Sequence, residues 1–376
     1  MILSAPLPPQ EGIGFYAWNL AKQLSSQGNQ VQLITRGRAQ HTTCELVDGI
    51  KLWRATFLPV YPVHVHLHNL FVNDLIQRLD AQVDLYHLHT PLVEVPETKK
   101  PLLVTVHTPM KADTGSIQAK NGLSWLVRLQ LPFSVNLERQ LFMRADKIVA
   151  VARSVASELE EYGIDPQRVV VLGNGVDTKV FQRRQAQVEI STAYFLTVGR
   201  LGLRKGLADL LNCAQIVTQQ RPDVQFWVAG EGPLRNELDG LIRQLGLRER
   251  VRLLGHISSR AEMMSLYQGA MGFLHPAHYE GLPTVLLEAM ACSCPVVATA
   301  VSGALDVVQD GENGLLVPPR QPQVMATAVL RLLQEPALRE CLGRAARQTI
   351  EKHYSWEAVS QGYLAEYQRL VSGVQS

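Results

Sequence analysis

The sequence predicts an α/β protein with two doubly wound, Rossmann-like domains. Three observations support this fold class. The chain has 376 residues, more than one hydrophobic core usually holds. Short apolar runs bounded by turn residues alternate with amphipathic helical segments, which is typical of parallel sheets with crossover helices. This alternation starts again after the polar stretch Arg183–Glu189, so we expect a linker near residue 185.

The first half, residues 1–184, contains five predicted strands, each a short apolar run. They are Val31–Thr35, Leu85–His89, Leu102–His107, Lys147–Val151 and Val169–Leu172. Helical periodicity separates them at Gly14–Gln27, Asn136–Arg144 and Ser154–Tyr162. At the start of the chain, Ile2-Leu3-Ser4 has the composition of the end of another strand whose first residues are missing.

The second half, residues 185–355, repeats this organisation with six predicted strands. They are Tyr194–Val198, Val224–Ala229, Val251–Leu254, Gly272–His275, Pro295–Thr299 and Gly314–Val317. Helical patterns include Gly206–Gln219, Pro233–Leu245 and Pro283–Cys292, and a last helix is predicted at Trp356–Val371. Doubly wound domains bind ligands at the carboxyl ends of their strands, so we expect the two domains to face a central cleft.

Composition and charge exclude several classes of protein. The formal net charge is +2, from 36 basic and 34 acidic side chains, which gives no reason to expect nucleic acid as a partner. The five cysteines are scattered and odd in number, which favours reduced residues of a cytoplasmic protein over a disulfide framework. No apolar run is long enough to span a bilayer, and the first residues lack the basic region of a signal peptide.

One segment leaves contact with the inner face of a membrane open. Trp125–Phe133 mixes apolar and basic residues, and the helical pattern that follows continues to Arg144. Such a segment could dock on a membrane surface, although a buried helix with an arginine at its rim is the commoner explanation. We therefore expect a cytoplasmic protein, with peripheral membrane contact through residues 125–144 as an alternative.

The most informative stretch contains two glutamates, Glu280 and Glu288, in the same short segment. Between them, Gly281–Thr284 has the composition of a helix start, because proline fits the first helical turn, where its missing N–H has no partner. Such a start presents free N–H groups and the positive end of the helix dipole to a phosphate. Carboxylates accept hydrogen bonds from sugar hydroxyls, so the arrangement suits a hydroxyl-rich phosphorylated ligand.

Arg200 and Lys205 lie at a second junction in the same half, after the predicted strand Tyr194–Val198 and before a helix. Two fixed cations at this position could neutralise a diphosphate leaving group without a metal ion. Taken alone, the two residues are better explained as ordinary surface charge. The presence of two such junctions in one half of the chain favours ligand binding instead.

Gly12 and Gly14 begin the first predicted helix, and the run from Gly12 to Ala17 formally matches the dinucleotide fingerprint G-x-G-x-x-A. The glycines come well after the preceding strand, whereas the fingerprint needs a tight turn and an acidic residue about twenty positions later to hold a ribose. A flexible loop that covers a ligand phosphate fits better. Two alternatives stay open: an NADP-linked oxidoreductase with Arg36 near the 2′-phosphate, and glycines with no ligand contact.

Several histidines are weaker candidates. His107 ends the third predicted strand, so it faces the expected cleft and could bind a hydroxyl or shape the reacting centre, but a structural histidine explains it as well. His89 is similar and weaker. His64, His66 and His68 alternate and would share one face of a strand, but no cysteine or glutamate completes a metal site at motif spacing. We expect no metal there and prefer a polar strand or helix edge.

Together these motifs resemble family-4 glycosyltransferases, the retaining nucleotide-sugar enzymes of GT-B fold, also called glycosyltransferase group 1. The resemblance covers nearly the whole chain. It includes Gly12–Gly14, Ala145–Val151, Asn174–Asp177, Gly199–Leu201, Lys205-Gly206, Gly230–Pro233, Glu280–Pro283, Glu288–Ala291, Pro295–Thr299 and Gly311–Pro318. The glutamate pair together with the Arg–Lys pair is specific, whereas no single element is.

The resemblance implies roles for the donor side of the site. Glu280 would contact the donor sugar and Glu288 would hold the ribose. Arg200 and Lys205 would stabilise the diphosphate, and the backbone after the first glutamate would contact the sugar or phosphate. That backbone belongs to Leu282, Pro283 and Thr284.

In the first domain, the resemblance implies that His107 lies near the reacting centre, and it begins at the loop of Gly12 and Gly14, which we expect to close over a ligand phosphate. It also implies that the last helix, within residues 356–376, crosses back onto the first domain. Three departures from the family affect local backbone and donor preference. The N-terminal loop reads Glu-Gly-Ile-Gly at 11–14 where many relatives carry two adjacent glycines, Ser293 stands where glycine is common, and His275–Ala277 replaces a frequent Pro-Ser.

We therefore expect a metal-independent retaining glycosyltransferase that moves a sugar from a nucleotide-diphosphate sugar to a hydroxyl of a glycan, lipid or small molecule. The donor would bind mainly to residues 185–355 and the acceptor mainly to residues 1–184, with no cofactor and no nucleic acid. A non-catalytic nucleotide-sugar-binding protein of the same fold is the remaining alternative, which the intact set of two cations and two glutamates disfavours. The donor base, the sugar, the acceptor and the oligomeric state stay open.

Overall fold

The computed structural model describes residues 1–5, 12–38, 41–60, 64–91, 93–110, 134–183 and 193–373. They belong to two compact units. The first contains Met1–Asn174 together with Val359–Ser376, and the second contains Gly175–Ala358. The predicted domain limits at 184–185 and 355–356 stay a prediction, because the expected linker near residue 185 lies outside the described residues.

Within these ranges, the first unit contains a sheet of eight strands in the order β3-β4-β2-β1-β5-β6-β7-β8, parallel except for the β3–β4 pair. The strands are β1 (Ile2–Leu3), β2 (Gln32–Arg36), β3 (Thr43–Val47), β4 (Ile50–Ala55), β5 (Tyr86–His89), β6 (Leu102–Val106), β7 (Lys147–Ala150) and β8 (Val169–Val171). The helices between strands are Gly12–Ser26, His64–Leu79, a segment at 134–144 and Arg153–Glu160.

Burial of the central strands explains their sequences. Every residue of β5 and β6 is buried, as expected where crossover helices cover both faces of a parallel sheet. Leu88, Leu103 and Val104 have no exposed surface at all. The apolar runs that predicted these strands therefore reflect burial on both faces.

The β3–β4 hairpin and the helix His64–Leu79 have no counterpart in the sequence prediction. Val47 pairs with Ile50, so Asp48 and Gly49 form a two-residue turn, and both have the positive φ that such hairpin turns favour. Strand β3 is exposed along nearly its whole length, so it lacks an apolar run. The Asp-Gly pair is the local signal that could have identified the hairpin.

The second unit contains, in its described part, a parallel sheet of six strands in the order β11-β10-β9-β12-β13-β14. The strands are β9 (Tyr194–Val198), β10 (Gln225–Ala229), β11 (Val251–Gly255), β12 (Gly272–His275), β13 (Val296–Thr299) and β14 (Leu315–Val317). The helices are Leu207–Gln220, Arg235–Gln244, Arg260–Gly269, Thr284–Ala291, Ser302–Val307, Pro322–Gln334 and Pro336–Thr349. All the strands that the sequence predicted, in the first half and in the second, are present.

The C-terminal helix, Trp356–Gly373, joins the first unit from Val359 onward. There it contacts the first helix, Gly12–Ser26, as predicted. The hydroxyl groups of Tyr16 and Tyr363 are 2.7 Å apart, and the side-chain amide of Gln27 donates to Ser360 Oγ at 3.0 Å. No helix in the described ranges is long and apolar enough to cross a bilayer.

Candidate functional site

The loop after β9, which carries Arg200, is held by close backbone packing against the loop after β10. The Gly199 N–H donates to the Ala229 carbonyl at 3.0 Å. A Cβ atom on Gly230 would lie 1.9 Å from the Gly199 carbonyl oxygen, and Gly230 has a φ of 143°. Only glycine tolerates both the conformation and the approach. The glycine motif 230–233 therefore positions the Arg200 loop.

Lys205 ends a short 3-10 turn and is followed by Gly206 in the left-handed conformation, with a φ of 62°. A Cβ atom on Gly206 would lie 1.9 Å from the Pro276 carbonyl oxygen, so this turn packs directly on the segment that follows β12. The His278 N–H donates to the Arg204 carbonyl at 2.8 Å. These contacts bring the Lys205 side chain to the segment that contains Glu280.

Lys205 and Glu280 form an ion pair. The Lys205 Nζ donates to Glu280 Oε2 at 2.5 Å, and the two side chains are 25% and 21% exposed. Two residues predicted to bind different parts of one ligand are thus in direct contact, although 75 positions separate them in the chain. A half-buried pair that remains accessible can exchange its partner for a ligand oxygen or hydroxyl.

Arg200 differs from Lys205 in its surroundings. Its side chain is exposed. Among the described residues, no acidic side chain lies within ion-pair distance of its guanidinium group. The geometry therefore leaves this guanidinium accessible to an anion from solution.

Backbone contacts also fix the turn that contains Glu280. The carbonyl oxygen of Glu280 accepts hydrogen bonds from Ser302 Oγ and from the Gly303 N–H, the latter at 3.3 Å. A Cβ atom on Gly303 would lie 1.3 Å from the Gly281 carbonyl oxygen. The turn therefore packs closely against the start of the helix Ser302–Val307, and its carboxylate is left to face Lys205.

The helix after this turn begins one residue later than predicted. Pro283 is the N-cap, with extended φ and ψ of −74° and 112°, and the helix is Thr284–Ala291. Leu282 and Pro283 are buried and Thr284 is exposed. The first N–H groups of a helix have no carbonyl partner within it, so this end presents donors and a positive dipole end close to Glu280.

Glu288 lies within the helix Thr284–Ala291, and its environment differs from that of Glu280. Its Oε2 accepts a hydrogen bond from the Tyr267 hydroxyl at 3.0 Å. Burial raises the pKa of the Glu288 carboxyl to about 7, against the opposing effects of Tyr267 and of Arg260. The structure therefore separates the two glutamates: Glu280 is paired with a cation, and Glu288 is a hydrogen-bonded carboxyl that titrates near neutrality.

His275, at the end of β12, is a residue of this site that the sequence analysis noted only as a departure from the family. It is 2% exposed, and its Nε2 lies 4.0 Å from Glu280 Oε2. Burial lowers the pKa of His275 to about 4, so the imidazole is neutral at pH 7. In the described part of the chain, Nε2 has no hydrogen-bond partner. Its place at the carboxyl end of a parallel strand was the signal available in the sequence.

In the first unit, the glycines do not directly follow the first strand, as the dinucleotide fingerprint requires. Strand β1 ends at Leu3, and Gly12, in the helix Gly12–Ser26, comes nine positions later. Gly12 is exposed, and a Cβ atom built on it would meet no described atom within 4 Å, whereas Gly14 is buried. Glu11 lies outside the described residues. This geometry disfavours the oxidoreductase alternative.

His107 follows β6 directly and is half-buried. Its ring packs edge to face with Tyr16 at a centroid distance of 4.8 Å, and its Nε2 lies 3.4 Å from His89 Nδ1. Burial lowers the pKa of His107 to about 3, so the ring is neutral at pH 7. The structure thus joins two histidines that the sequence analysis considered separately.

The histidines at 64, 66 and 68 lie on a helix rather than on an extended strand, so they do not share one face. His66 contacts Glu94 at 3.2 Å and His68 contacts the Thr56 carbonyl at 2.9 Å. No group of three metal-ligating side chains occurs in the described ranges. Of the segment 125–144, residues 125–133 lie outside those ranges, and membrane contact there stays a prediction.

Comparisons with known proteins agree with this architecture. Two family models match the chain: "Glycosyltransferase Family 4" over residues 11–180 and "Glycosyl transferases group 1" over residues 178–349. A D-inositol 3-phosphate glycosyltransferase from Kineococcus radiotolerans is 30% identical, over 96% of this chain and 91% of its own length. A glycogen synthase from Mycobacterium tuberculosis is 27% identical, over 75% of this chain and 69% of its own.

Two solved structures show the same fold over nearly the whole chain. Sucrose-phosphate synthase from Thermosynechococcus elongatus has a TM-score of 0.78 at 23% identity and covers 99% of this chain and 98% of its own. HepE from Anabaena, solved with UDP-glucose, has a TM-score of 0.72 at 18% identity and covers 98% of each chain. The two Rossmann-like sheets are therefore those of a GT-B fold, and the chain belongs to glycosyltransferase family 4, the group 1 enzymes that transfer a sugar from a nucleotide sugar.

Proposed function

We propose that this glycosyltransferase transfers the sugar of a nucleotide-diphosphate sugar to an acceptor hydroxyl with retention of configuration and without a divalent metal. The observation that carries the proposal is the ion pair between Lys205 Nζ and Glu280 Oε2 at 2.5 Å. The pair places two groups side by side: the Lys205 ammonium, which can bind the leaving group, and the Glu280 carboxylate, which can bind a sugar hydroxyl. A nucleotide-diphosphate sugar needs both groups where its sugar joins its phosphate.

The leaving diphosphate is stabilised by three features of the second unit. Arg200 supplies an exposed guanidinium that can bind two phosphate oxygens. Lys205 supplies a point charge, and the start of the helix Thr284–Ala291 supplies backbone donors. Because the backbone that carries these groups is already packed in place, only side chains need to move for them to stabilise the developing negative charge. The same fixed charges replace the metal ion that other transferases use for a diphosphate.

The two glutamates have different tasks. Glu280 accepts a hydrogen bond from a hydroxyl of the transferred sugar, while Lys205 shifts toward the phosphate. Glu288 accepts hydrogen bonds from the ribose hydroxyls, a role that suits a half-buried carboxyl already held by Tyr267. The backbone of Leu282, Pro283 and Thr284 lines the sugar and phosphate between them.

The first unit supplies the remaining contacts. The loop that begins the first helix, with Gly12 and Gly14, covers the donor phosphate. His107, a neutral imidazole, offers a hydrogen bond at the reacting centre. Acceptor binding also belongs to this unit. Peripheral membrane contact through residues 125–144 is part of this proposal only if the acceptor is a lipid.

The similar proteins indicate which substrates to test first. HepE was solved with UDP and with UDP-glucose, so UDP is the first nucleotide to test. The named relatives differ in what they act on, from an inositol phosphate to glycogen. We therefore propose a hydroxyl acceptor and leave its class to the assay.

The test has two stages. Thermal-shift measurements with UDP, GDP and ADP identify the nucleotide, and a panel of donor sugars on that nucleotide then identifies the transferred sugar. We expect one nucleotide to raise the melting temperature clearly above the other two, and we expect turnover in chelator to equal turnover in magnesium. The anomeric configuration of the product, measured by NMR, is expected to match that of the donor. An inverted product, or activity lost in chelator and restored by magnesium, would contradict the proposal.

A further inference from the structure

His107 is part of a buried cluster of histidine and tyrosine side chains in the first unit. The cluster joins the ends of β5 and β6 to the first helix and to the C-terminal helix. Its members are Tyr16, His87, His89, Thr105, His107, Tyr363 and Tyr367. The proposed role of His107 depends on which of its two ring nitrogens carries the proton, and the cluster decides this.

His87 has a partner at each nitrogen. Its Nδ1 lies 2.7 Å from the Tyr367 hydroxyl and its Nε2 lies 2.7 Å from Thr105 Oγ1. Hydroxyl groups both donate and accept, so these contacts are compatible with either protonated nitrogen. The contacts of His87 therefore do not determine which ring nitrogen of a neighbouring histidine carries the proton.

His89 is different because only one of its nitrogens has a partner. The side chain has no exposed surface, Nδ1 lies 3.4 Å from His107 Nε2, and Nε2 has no hydrogen-bond partner among the described residues. Burial holds the pKa of both His89 and His107 well below the usual range, so each ring is neutral and carries one N–H.

The position of the two protons follows from these contacts. A proton on His89 Nε2 would be a buried donor without an acceptor, which is costly, whereas an unpartnered lone pair costs less. A proton on His89 Nδ1 can be donated to His107 Nε2. His107 Nε2 must then be the acceptor, so the single proton of His107 lies on Nδ1.

We infer that His89 is a positioning residue that donates a hydrogen bond to Nε2 of His107 and thereby fixes His107 in its Nδ1–H form. Toward the ligand, His107 then presents an N–H donor and has no free lone pair for use as a base. Such a donor suits a sugar or phosphate oxygen of the donor substrate. This step rests on the proposed function, in which His107 lies at the reacting centre.

Tyr16 holds the plane of the His107 ring. It packs edge to face against that ring at 4.8 Å, and its hydroxyl is bound to Tyr363 of the C-terminal helix at 2.7 Å. The ring of His107 is therefore limited in rotation, and its two nitrogens keep distinct surroundings.

The tautomer can be measured directly. Full-length protein labelled with 15N-histidine is studied at neutral pH by long-range 1H–15N correlation, and the His107 signals are assigned by their loss in His107→Gln. We expect a protonated Nδ1 and an unprotonated Nε2 for His107 in the wild-type protein. A protonated Nε2 in the wild-type protein would overturn the inference whatever the variants do.

Two substitutions of His89 separate positioning from packing. His89→Phe keeps a ring but has no donor, and His89→Asn has an amide N–H near the place of the histidine Nδ1. We expect His89→Phe to lose the fixed tautomer and to lower kcat about tenfold, the rate equivalent of one hydrogen bond, with the donor KM changed less than about twofold. We expect His89→Asn to retain both, and exposed His41→Phe serves as the control.

The outcomes are distinct. An unchanged tautomer and unchanged kcat in His89→Phe, in a variant that melts like the wild type, would overturn the inference. Equal loss in His89→Asn and His89→Phe would also overturn it, because packing alone would then explain the effect. The tautomer measurement needs no turnover, so absence of sugar transfer would contradict the proposed function and leave the tautomer to decide this inference.

Discussion

At the scale of single residues, Lys205 and Glu280 depend on each other. Each neutralises the other in a half-buried environment, with the neutral His275 behind Glu280. The sequence identified both residues from strand–loop–helix junctions and from a family resemblance, but it did not predict that they touch. Their contact requires the turn at Gly206 to pack on the segment after β12, which is a tertiary event.

Replacement of either partner should remove most transfer activity. We expect Lys205→Ala and Glu280→Ala each to lower kcat on the order of 10²-fold or more, because each removes a fixed group from the reacting centre. Steady-state kinetics with the identified donor measures the effect, and circular dichroism verifies folding. Lys352→Ala, an exposed lysine of the same unit, is the control and should retain full activity. Near-normal turnover in either variant would exclude these roles.

Glu288 predicts a pH dependence of stability. Because burial raises the pKa of its carboxyl from 4.5 to about 7, the folded protein binds a proton that the unfolded chain has already lost in this interval. Stability should therefore fall as pH rises from about 4.5 to about 7 and be level above that.

Glu288→Gln should remove this contribution. At each pH we take the free energy of unfolding of the variant minus that of the wild type. We expect this difference to be up to about 3 kcal/mol larger at about pH 8 than at about pH 5. Denaturant unfolding at both pH values measures the difference. Glu138, in the first unit, also has a carboxyl pKa raised by burial to about 7, so the comparison must be made with the wild type rather than within one curve. An equal change in the free energy of unfolding between the two pH values in both proteins would contradict the raised pKa of Glu288.

At the scale of elements, the apolar periodicity predicted strands and helices well where burial is high. The ends of the predicted elements match those observed to within about two residues. For the strands this is expected, because a strand buried on both faces is apolar along its whole length, so the apolar run ends where the strand ends. The β3–β4 hairpin was missed because exposed strands lack apolar runs. The helix His64–Leu79 was missed because the alternating histidines were compatible with either a strand edge or a helix edge. Turn chemistry at Asp48 and Gly49 carried the hairpin signal.

Gly206 is the element-scale determinant of the site, because the Lys205 turn cannot pack on Pro276 if the next residue has a side chain. We expect Gly206→Ala to lower the free energy of unfolding by more than about 1 kcal/mol, from its positive φ and the clash, and to weaken binding of the nucleotide. Denaturant unfolding and nucleotide titration measure the two effects.

Gly240→Ala is the matched control. Gly240 lies within the helix Arg235–Gln244, and nothing stands within 4 Å of its Cβ position. Alanine is the better helix former, so this variant should be stabilised by up to about 1 kcal/mol with unchanged nucleotide binding. A tolerated Gly206→Ala with normal binding would show that the turn does not need its left-handed conformation.

At the scale of the whole molecule, the chain returns to its first unit through the C-terminal helix. Tyr363 is buried there, and its hydroxyl is 2.7 Å from the Tyr16 hydroxyl and 2.9 Å from Thr105 Oγ1. Residues from the two ends of the chain therefore complete one core. The sequence analysis expected the crossing from the family resemblance alone, and no local pattern identified Tyr363 as its anchor.

Removal of this hydroxyl should destabilise the first unit. We expect Tyr363→Phe to lower the free energy of unfolding by about 1–3 kcal/mol, because it removes two buried hydrogen bonds, one with the Tyr16 hydroxyl and one with Thr105 Oγ1. Ser372→Ala, at the exposed end of the same helix, is the control and should have little effect. Denaturant unfolding followed by a probe in the first unit measures the loss. Equal stability of the two variants would show that ring packing, not the hydroxyl network, holds the helix.

Local patterns in the sequence were sufficient for the α/β class, for two repeated sets of strands and helices, and for the four charged candidates Arg200, Lys205, Glu280 and Glu288. They were sufficient because burial leaves periodic apolar runs and because junctions between strands and helices carry characteristic glycines and charges. The tertiary structure alone decided that Lys205 pairs with Glu280, that Glu288 is held by Tyr267, and that His89 contacts His107. Such contacts join residues from different elements, and their distances, burial and protonation are properties of the packed chain rather than of any segment.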